Sequence, residues 1–253
     1  MLLPIADEST GRTTTAIVNY LLIAVNIFVF VFLQNFGANE KFTYAYSAVP
    51  EKIITGRDLG APNRSFLHPF TRRRMQVPGA QPTPIPAYLT LITSMFLHGG
   101  IAHILGNMLF LWVFGGNVEG RLGHFRYLLF YLICGVIAGL AHVFSTGLLA
   151  TDPSSLLIPS LGASGAISGV LGAYILLFPT RRVTVFVWCF LAQVPAFVVI
   201  GLWFVFQLIN ALGVLGSGSQ AGGIAYAAHI GGFIAGLVLI KVFEIGRPAP
   251  RSY

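Results

Sequence analysis

The sequence predicts an all-α membrane protein, a bundle of six transmembrane helices. Two observations predict it. Charged residues make up 9% of the 253 and hydrophobic residues 55%, against about 25% charged in ordinary soluble domains, and the mean hydropathy is +0.78. Apolar runs long enough to cross a hydrocarbon core, about 20 residues each, recur along the chain. Net charge is +7. The basic residues lie in loops and tails between apolar runs, and no aromatic-rich basic motif accompanies them. They therefore suit an anionic lipid surface and not a nucleic acid.

Residues 1–15, MLLPIADESTGRTTT, have no apolar core behind a basic start, so they predict a cytoplasmic segment and not a cleavable signal peptide. The first span is 16–36. A long loop, 37–87, follows and carries Arg72, Arg73, Arg74 and the run PGAQPTPIP. The second span is 88–114 and the third 125–144. A polar turn at Asp152 and Pro153 leads to the fourth, 162–178. Arg181 and Arg182 precede the fifth, 183–209. The connector GVLGSGSQAGG leads to the sixth, 224–243. The membrane domain is thus 16–244, with a cytoplasmic tail at 245–253. Cys134 and Cys189 fall inside spans and read as packed thiols, not a disulfide or metal pair.

Six spans put both termini on one side, together with Arg12, Arg121, Arg126, Arg181, Arg182, Lys241, Arg247 and Arg251. The two short loops opposite hold no Lys or Arg. The long loop carries seven but is discounted for its length, so the positive side is cytoplasmic and the expected location is a bacterial inner membrane.

Polar groups at membrane depth are costly and mark function by default. Ser164 opens the fourth span in GASGAISGVLGAY. Gly162 and Gly165 leave room for a substrate backbone, and a helix N-terminus offers free N–H groups to an oxyanion. The rival reading is packing, since Gly165, Gly169 and Gly172 form a smooth stripe. His229, in AHIGGFIAGL, shares a face of the sixth span with Gly232 and Gly236. In the six-span topology Ser164 and His229 fall at the same depth. On the second span His103 and Asn107 are i, i+4 and able to donate hydrogen bonds to one point, or to glue helices. His98 lies about 140° round that helix from His103, which weakens a metal site built on the two.

His103–Asn107 on the second span, Gly162-x-Ser164-Gly165 opening the fourth, and Ala228-His229 through Gly232 to Gly236 on the sixth together resemble the rhomboid family of intramembrane serine proteases. The resemblance implies a six-helix rhomboid bundle that cleaves transmembrane substrate proteins in or near their spans, without cofactor or metal. It implies Ser164 as nucleophile and His229 as base. His103, Asn107 and the Ser164 backbone N–H would form an oxyanion hole, with His98 structural. Glu119 and Arg121 resemble loop-stabilising residues of the family. By the same analogy the connector at 213–223 would cap the site, and Phe197, Trp203, Phe204 and Phe206 would line lateral access for substrate. Two departures stand out. The Trp-Arg pair of some members' first loop is absent, leaving Tyr44, Tyr46 and Phe66 as anchors. The aromatic that supports the histidine one turn after the nucleophile is here Ser168. The alternatives are a catalytically inactive rhomboid-like protein that binds membrane clients, which would be expected to lack the serine or the histidine, and a small transporter, for which no internal repeat speaks.

Overall fold

The computed structural model describes residues 2–8, 14–58, 64–67, 74–77, 81–149, 153–187, 190–217 and 226–247. The chain is mostly helical. Strand β1 (Leu2–Asp7) precedes helix α1 (Ile17–Phe28), which runs on through a π-turn at Val29–Leu33. Helices α2 (Glu40–Tyr46) and α3 (Pro50–Thr55) and a hairpin of β2 (Arg64–Leu67) with β3 (Arg74–Val77) come before α4 (Thr90–Thr93). Helix α5 (Ile101–Phe110) continues through a π-turn at Leu111–Gly115 into α6 (Gly116–Leu122). Then come α7 (His124–Leu149), α8 (Ser164–Leu177), strands β4 (Arg182–Val187) and β5 (Phe190–Pro195), α9 (Ala196–Ser217) and α10 (Tyr226–Phe243). Among the described residues, three helical runs are long and apolar enough to cross a membrane: Ile101–Leu122, His124–Leu149 and Tyr226–Phe243. Ile17–Leu33, Ala87–Phe96, Ser164–Leu177 and Ala196–Leu212 are apolar but shorter.

Three expectations need correcting. The fold is not all-α, because β1, β4 and β5 form an antiparallel sheet with β4 in the middle. The fifth span does not begin at 183. Arg182–Val187 and Phe190–Pro195 pair as the β4–β5 hairpin, and the helix starts at Ala196. Val183, Thr184, Val185 and Val187 are β-branched, and burial alternates along β4, with Val183 and Val185 inside. That period of two suits a strand. The second span is also broken. Helix stops at Phe96, Leu97 is extended, and Gly99 and Gly100 precede the restart at Ile101. Of the connector at 213–223, residues 213–217 continue α9 as helix, while residues 218–223, Arg72, Arg73, Asp152 and Cys189 lie outside the described residues.

Helices α8 and α10 meet through their glycines. A Cβ on Gly232 would strike the Gly165 carbonyl, one on Gly236 the Gly169 carbonyl, and one on Gly172 the Phe233 carbonyl. Association in lipid gains from such close van der Waals approach. Beside this pair, Phe114, Tyr127, Phe130, Tyr131 and Tyr174 are fully buried. The side of the π-turn at 111–115 is sealed by Asn19, which donates to the Leu111 carbonyl at 2.9 Å and accepts from the Tyr127 hydroxyl at 2.7 Å.

Contacts sort the connections to the two ends of the bundle. At one end β1 pairs with β4, Asn117 bonds to Asp7, Arg121 pairs with Glu244, and Arg126 donates to the Phe243 and Ile245 carbonyls. At the other, Ala48 and Ser160 exchange backbone hydrogen bonds of 3.0 and 2.7 Å, tying the first loop to the segment before α8. That loop is also clasped internally. Lys52 is buried, and its Nζ donates to Asp58, the Gln81 carbonyl and Thr83 within 2.8 Å. Tyr46 packs on Phe42 and its carbonyl accepts from Thr93. The side chain of Phe66 is outside the described residues.

Candidate active site

Ser164 is the first residue of α8, where backbone N–H groups have no carbonyl within the helix to bond. The turn before it requires glycine. Gly162 has φ +127°, and a Cβ there would lie 2.8 Å from His103 Nε2. Its own N–H donates to the Ser94 carbonyl at 2.9 Å. Both the 3-10 turn that follows α4 and the first loop therefore hold the approach to Ser164.

His229 sits in the first turn of α10. Its Nε2 is 2.8 Å from Ser164 Oγ, and its Nδ1 is 2.8 Å from Gln207 Oε1 on α9. An amide oxygen only accepts, so this bond puts the ring proton on Nδ1. Nε2 is then left as the acceptor of the serine hydroxyl proton. Trp203 and Tyr226 flank the ring, with centroids at 6.0 and 6.4 Å. Ser168 is not among the hydrogen-bond partners of the histidine ring. Its hydroxyl donates to the Ser164 carbonyl at 2.6 Å.

His103 stands in the first turn of α5 with its ring reaching the surface. Its Nδ1 accepts from the Gly99 N–H at 3.3 Å, which places the proton on Nε2, the nitrogen beside Gly162. Asn107, one turn on, is buried, and its Nδ2 has no partner among the described residues. The expectation for His98 was wrong in one respect. It does not lie on the same helix as His103, because the Gly99–Gly100 break intervenes, and the two rings meet edge to face with centroids 5.1 Å apart. Its backbone is gripped on both sides by Gln34, which accepts from the His98 N–H at 2.9 Å and donates to its carbonyl at 3.0 Å. Among the described residues no three His, Cys, Asp or Glu are grouped as a metal site would need.

Glu119 and Arg121 lie far from this constellation. Glu119 is fully buried and accepts from the Val18 and Asn19 N–H groups at 2.9 and 2.7 Å, capping α1 from a distance. Gln207 and Gln34 are the residues sequence reasoning missed. A glutamine within or at the end of an apolar span carries the same signal as a histidine there.

The chain belongs to the rhomboid family, since the family's Rhomboid domain matches residues 86–244. It is 32% identical over 154 residues to Rhomboid protein 1, mitochondrial, from Saccharomyces cerevisiae, covering 61% of this chain and 41% of that protein. It is 35% identical over 147 residues to Rhomboid protease GluP of Bacillus subtilis, covering 58% of this chain and 24% of that one. To the human Presenilin-associated rhomboid-like protein, mitochondrial, it is 33% identical over 153 residues, 58% of this chain and 36% of the relative. The chain thus spans less than half the length of these relatives. Mitochondrial and Bacillus proteins both occur among them, so the expected bacterial inner membrane has no support from the comparison. What stands is a membrane protein of the rhomboid family.

Proposed function

We propose that the chain is an intramembrane serine endopeptidase that cleaves transmembrane proteins in or near their spans. The observation that carries this reading is the 2.8 Å contact between Ser164 Oγ and His229 Nε2, with Nδ1 already occupied as a donor. In the reaction His229 Nε2 takes the Ser164 proton as Oγ adds to the peptide carbonyl carbon. The oxyanion accepts hydrogen bonds from the Ser164 N–H, His103 Nε2–H and Asn107 Nδ2–H, the last a buried donor with no partner among the described residues. As the C–N bond breaks, His229 returns its proton to the leaving amine. Water then gives up a proton to His229 and adds to the acyl carbon; the bond to Ser164 Oγ breaks, Oγ takes the proton back from His229, and the acid is released. The exposure of His103 supports a water route to the site from the end of the bundle where Ala48 meets Ser160.

The reading includes six crossings, with a domain over 16–244. In support, β1 and β4 lie at one end of the bundle with the turn after α6 and the residues after α10, as an even number of crossings between them requires. We assign that end, which holds Arg121, Arg126, Arg181 and Arg182, to the cytoplasm by the positive-inside rule.

The test is labelling of the purified protein with a serine-reactive fluorophosphonate, beside cleavage of a transmembrane reporter. Labelling and cleavage should both vanish in Ser164→Ala and in His229→Ala, and the double variant should be no worse than either. A Ser164→Ala protein that still cleaves at the parental rate removes Ser164 from the mechanism. A parental protein that neither labels nor cleaves, yet retains client proteins, favours the inactive rhomboid-like alternative.

A further inference from the structure

Resting on the serine-protease reading, we infer that Gln207 is a positioning residue. It fixes the tautomer and direction of the His229 ring and takes the place that a carboxylate holds in a triad. Helix α9 turns large apolar side chains outward, with Leu202, Phe206, Ile209 and Leu212 all more than half exposed. Gln207 is the opposite, 6% exposed, and its amide oxygen meets His229 Nδ1 at 2.8 Å. An amide buried in an apolar bundle is costly unless paired, and here the pairing is to the one ring nitrogen that Ser164 does not use.

A histidine base without an acceptor on Nδ1 divides its time between two tautomers and is free to rotate about its side-chain bonds. Only one tautomer has a lone pair on Nε2 for the serine proton. Among the described residues, the other ionisable groups that act on His229 are His103 on α5 and His142 on α7, and neither is a carboxylate. Gln207 therefore supplies the orienting acceptor without placing a charge at this depth, where an ionised carboxylate would be expensive. Trp203, one turn earlier on α9, packs beside the ring in a tilted arrangement, so a single helix gives both the hydrogen bond and the packing.

The rival role for Gln207 is helix glue between α9 and α10. Three readouts on the full-length protein separate the two: kcat against KM for a transmembrane reporter, the pH profile of kcat, and the melting temperature. Gln207→Met keeps the length and removes the acceptor. Gln207→Glu keeps an acceptor and adds charge. General-base catalysis contributes typically 10²–10⁴-fold, so loss of its orientation should cost Gln207→Met about 10- to 10³-fold in kcat, with KM and melting temperature close to the parent's. Gln207→Glu should restore most of that loss. Its acid limb should move to higher pH, because a neighbouring carboxylate favours the imidazolium. Parental kcat in Gln207→Met overturns the inference. So does a loss that follows the melting temperature and is not restored in Gln207→Glu. Ser164→Ala is measured alongside. If it is inactive while Gln207→Met is fully active, the positioning role alone falls. If Ser164→Ala is active, the protease reading falls and takes this inference with it.

Discussion

Alanine at Gly236 tests whether the glycine contact between α8 and α10 sets the distance between Ser164 and His229. A Cβ there would lie 2.7 Å from the Gly169 carbonyl carbon and 2.8 Å from its Cα, against 3.4 Å for the onset of ordinary contact. Both obstacles are helix backbone and cannot rotate away, and the Gly169 carbonyl oxygen lies nearer still, so the helices must part by at least about 0.7 Å. Carried along α10 as a rigid shift, that moves the 2.8 Å Ser164–His229 contact to about 3.5 Å, the outer limit of a hydrogen bond. Overpacking of this kind costs about 1–3 kcal/mol of stability. Misplacement of reacting groups by an ångström costs on the order of 10²-fold in rate. Initial rates of reporter cleavage should therefore fall about 10- to 10²-fold in Gly236→Ala, with a lower melting temperature. Gly201→Ala on α9, where a Cβ meets nothing within 4 Å, is the control and should change neither. Parental rate and melting temperature in Gly236→Ala would refute the idea that backbone contact between the two helices fixes the dyad.

Asn107→Ala should lower kcat by at most about 10²–10³-fold and leave KM nearly unchanged, since other donors remain at the oxyanion. A variant that melts well below the parent but keeps full kcat at low temperature would assign Asn107 to packing. Glu119→Gln removes a buried carboxylate that accepts from two α1 N–H groups, and hydrogen bonds to a charged group are worth about 1.5–3 kcal/mol. The melting temperature should drop while kcat per folded molecule holds, and a loss of kcat at unchanged stability would contradict the capping role. Asp58 is held below its ordinary pKa of 3.8, chiefly by the hydrogen bond from Lys52. A depressed carboxylate pKa stabilises the fold above the ordinary value and loses that contribution as pH falls through the lowered one. Hydrogen exchange at the Thr83 amide, which donates to Asp58, should therefore speed up relative to its intrinsic rate below about pH 4. Protection that stays constant down to pH 2 would show that the clasp does not depend on the charge.

Membrane character and the apolar cores of the spans were legible because they rest on composition and run length, which no distant contact can overrule. Ser164 and His229 could be singled out because polar groups at depth are few and each must have a reason. The β4–β5 hairpin was harder. Its run VTVFV alternates with a period of two, but neighbouring apolar residues extend the run to the length of a span, and length prevailed over period. β1 could not be read at all. Leu2 to Asp7 look like any polar-flanked tail until a partner strand about 180 residues further on supplies their hydrogen bonds. The break after Phe96 had a visible cause in Gly99 and Gly100, yet glycine pairs are common in membrane helices and the pattern alone did not distinguish a bend from a stop. Gln207 was within reach of the rule that singled out His229. Its partner was not, because nothing in the spacing of residues 207 and 229 shows that α9 leans on α10.

The β1–β4 pairing also sets a timetable for synthesis. Leu2 faces Val187 in the sheet, so β1 leaves the ribosome long before the strand that completes it. At about 5–20 residues per second the interval is roughly 10 to 35 s. The first turn of α1 waits too, since Glu119 is made about 100 residues after the amides it caps. Through that interval the first-turn amides of α1 lack their Glu119 acceptor and β1 lacks its partner strand. Strand β1 and the start of α1 are therefore made well before β4 and Glu119, and reach their final contacts only once those have been synthesised.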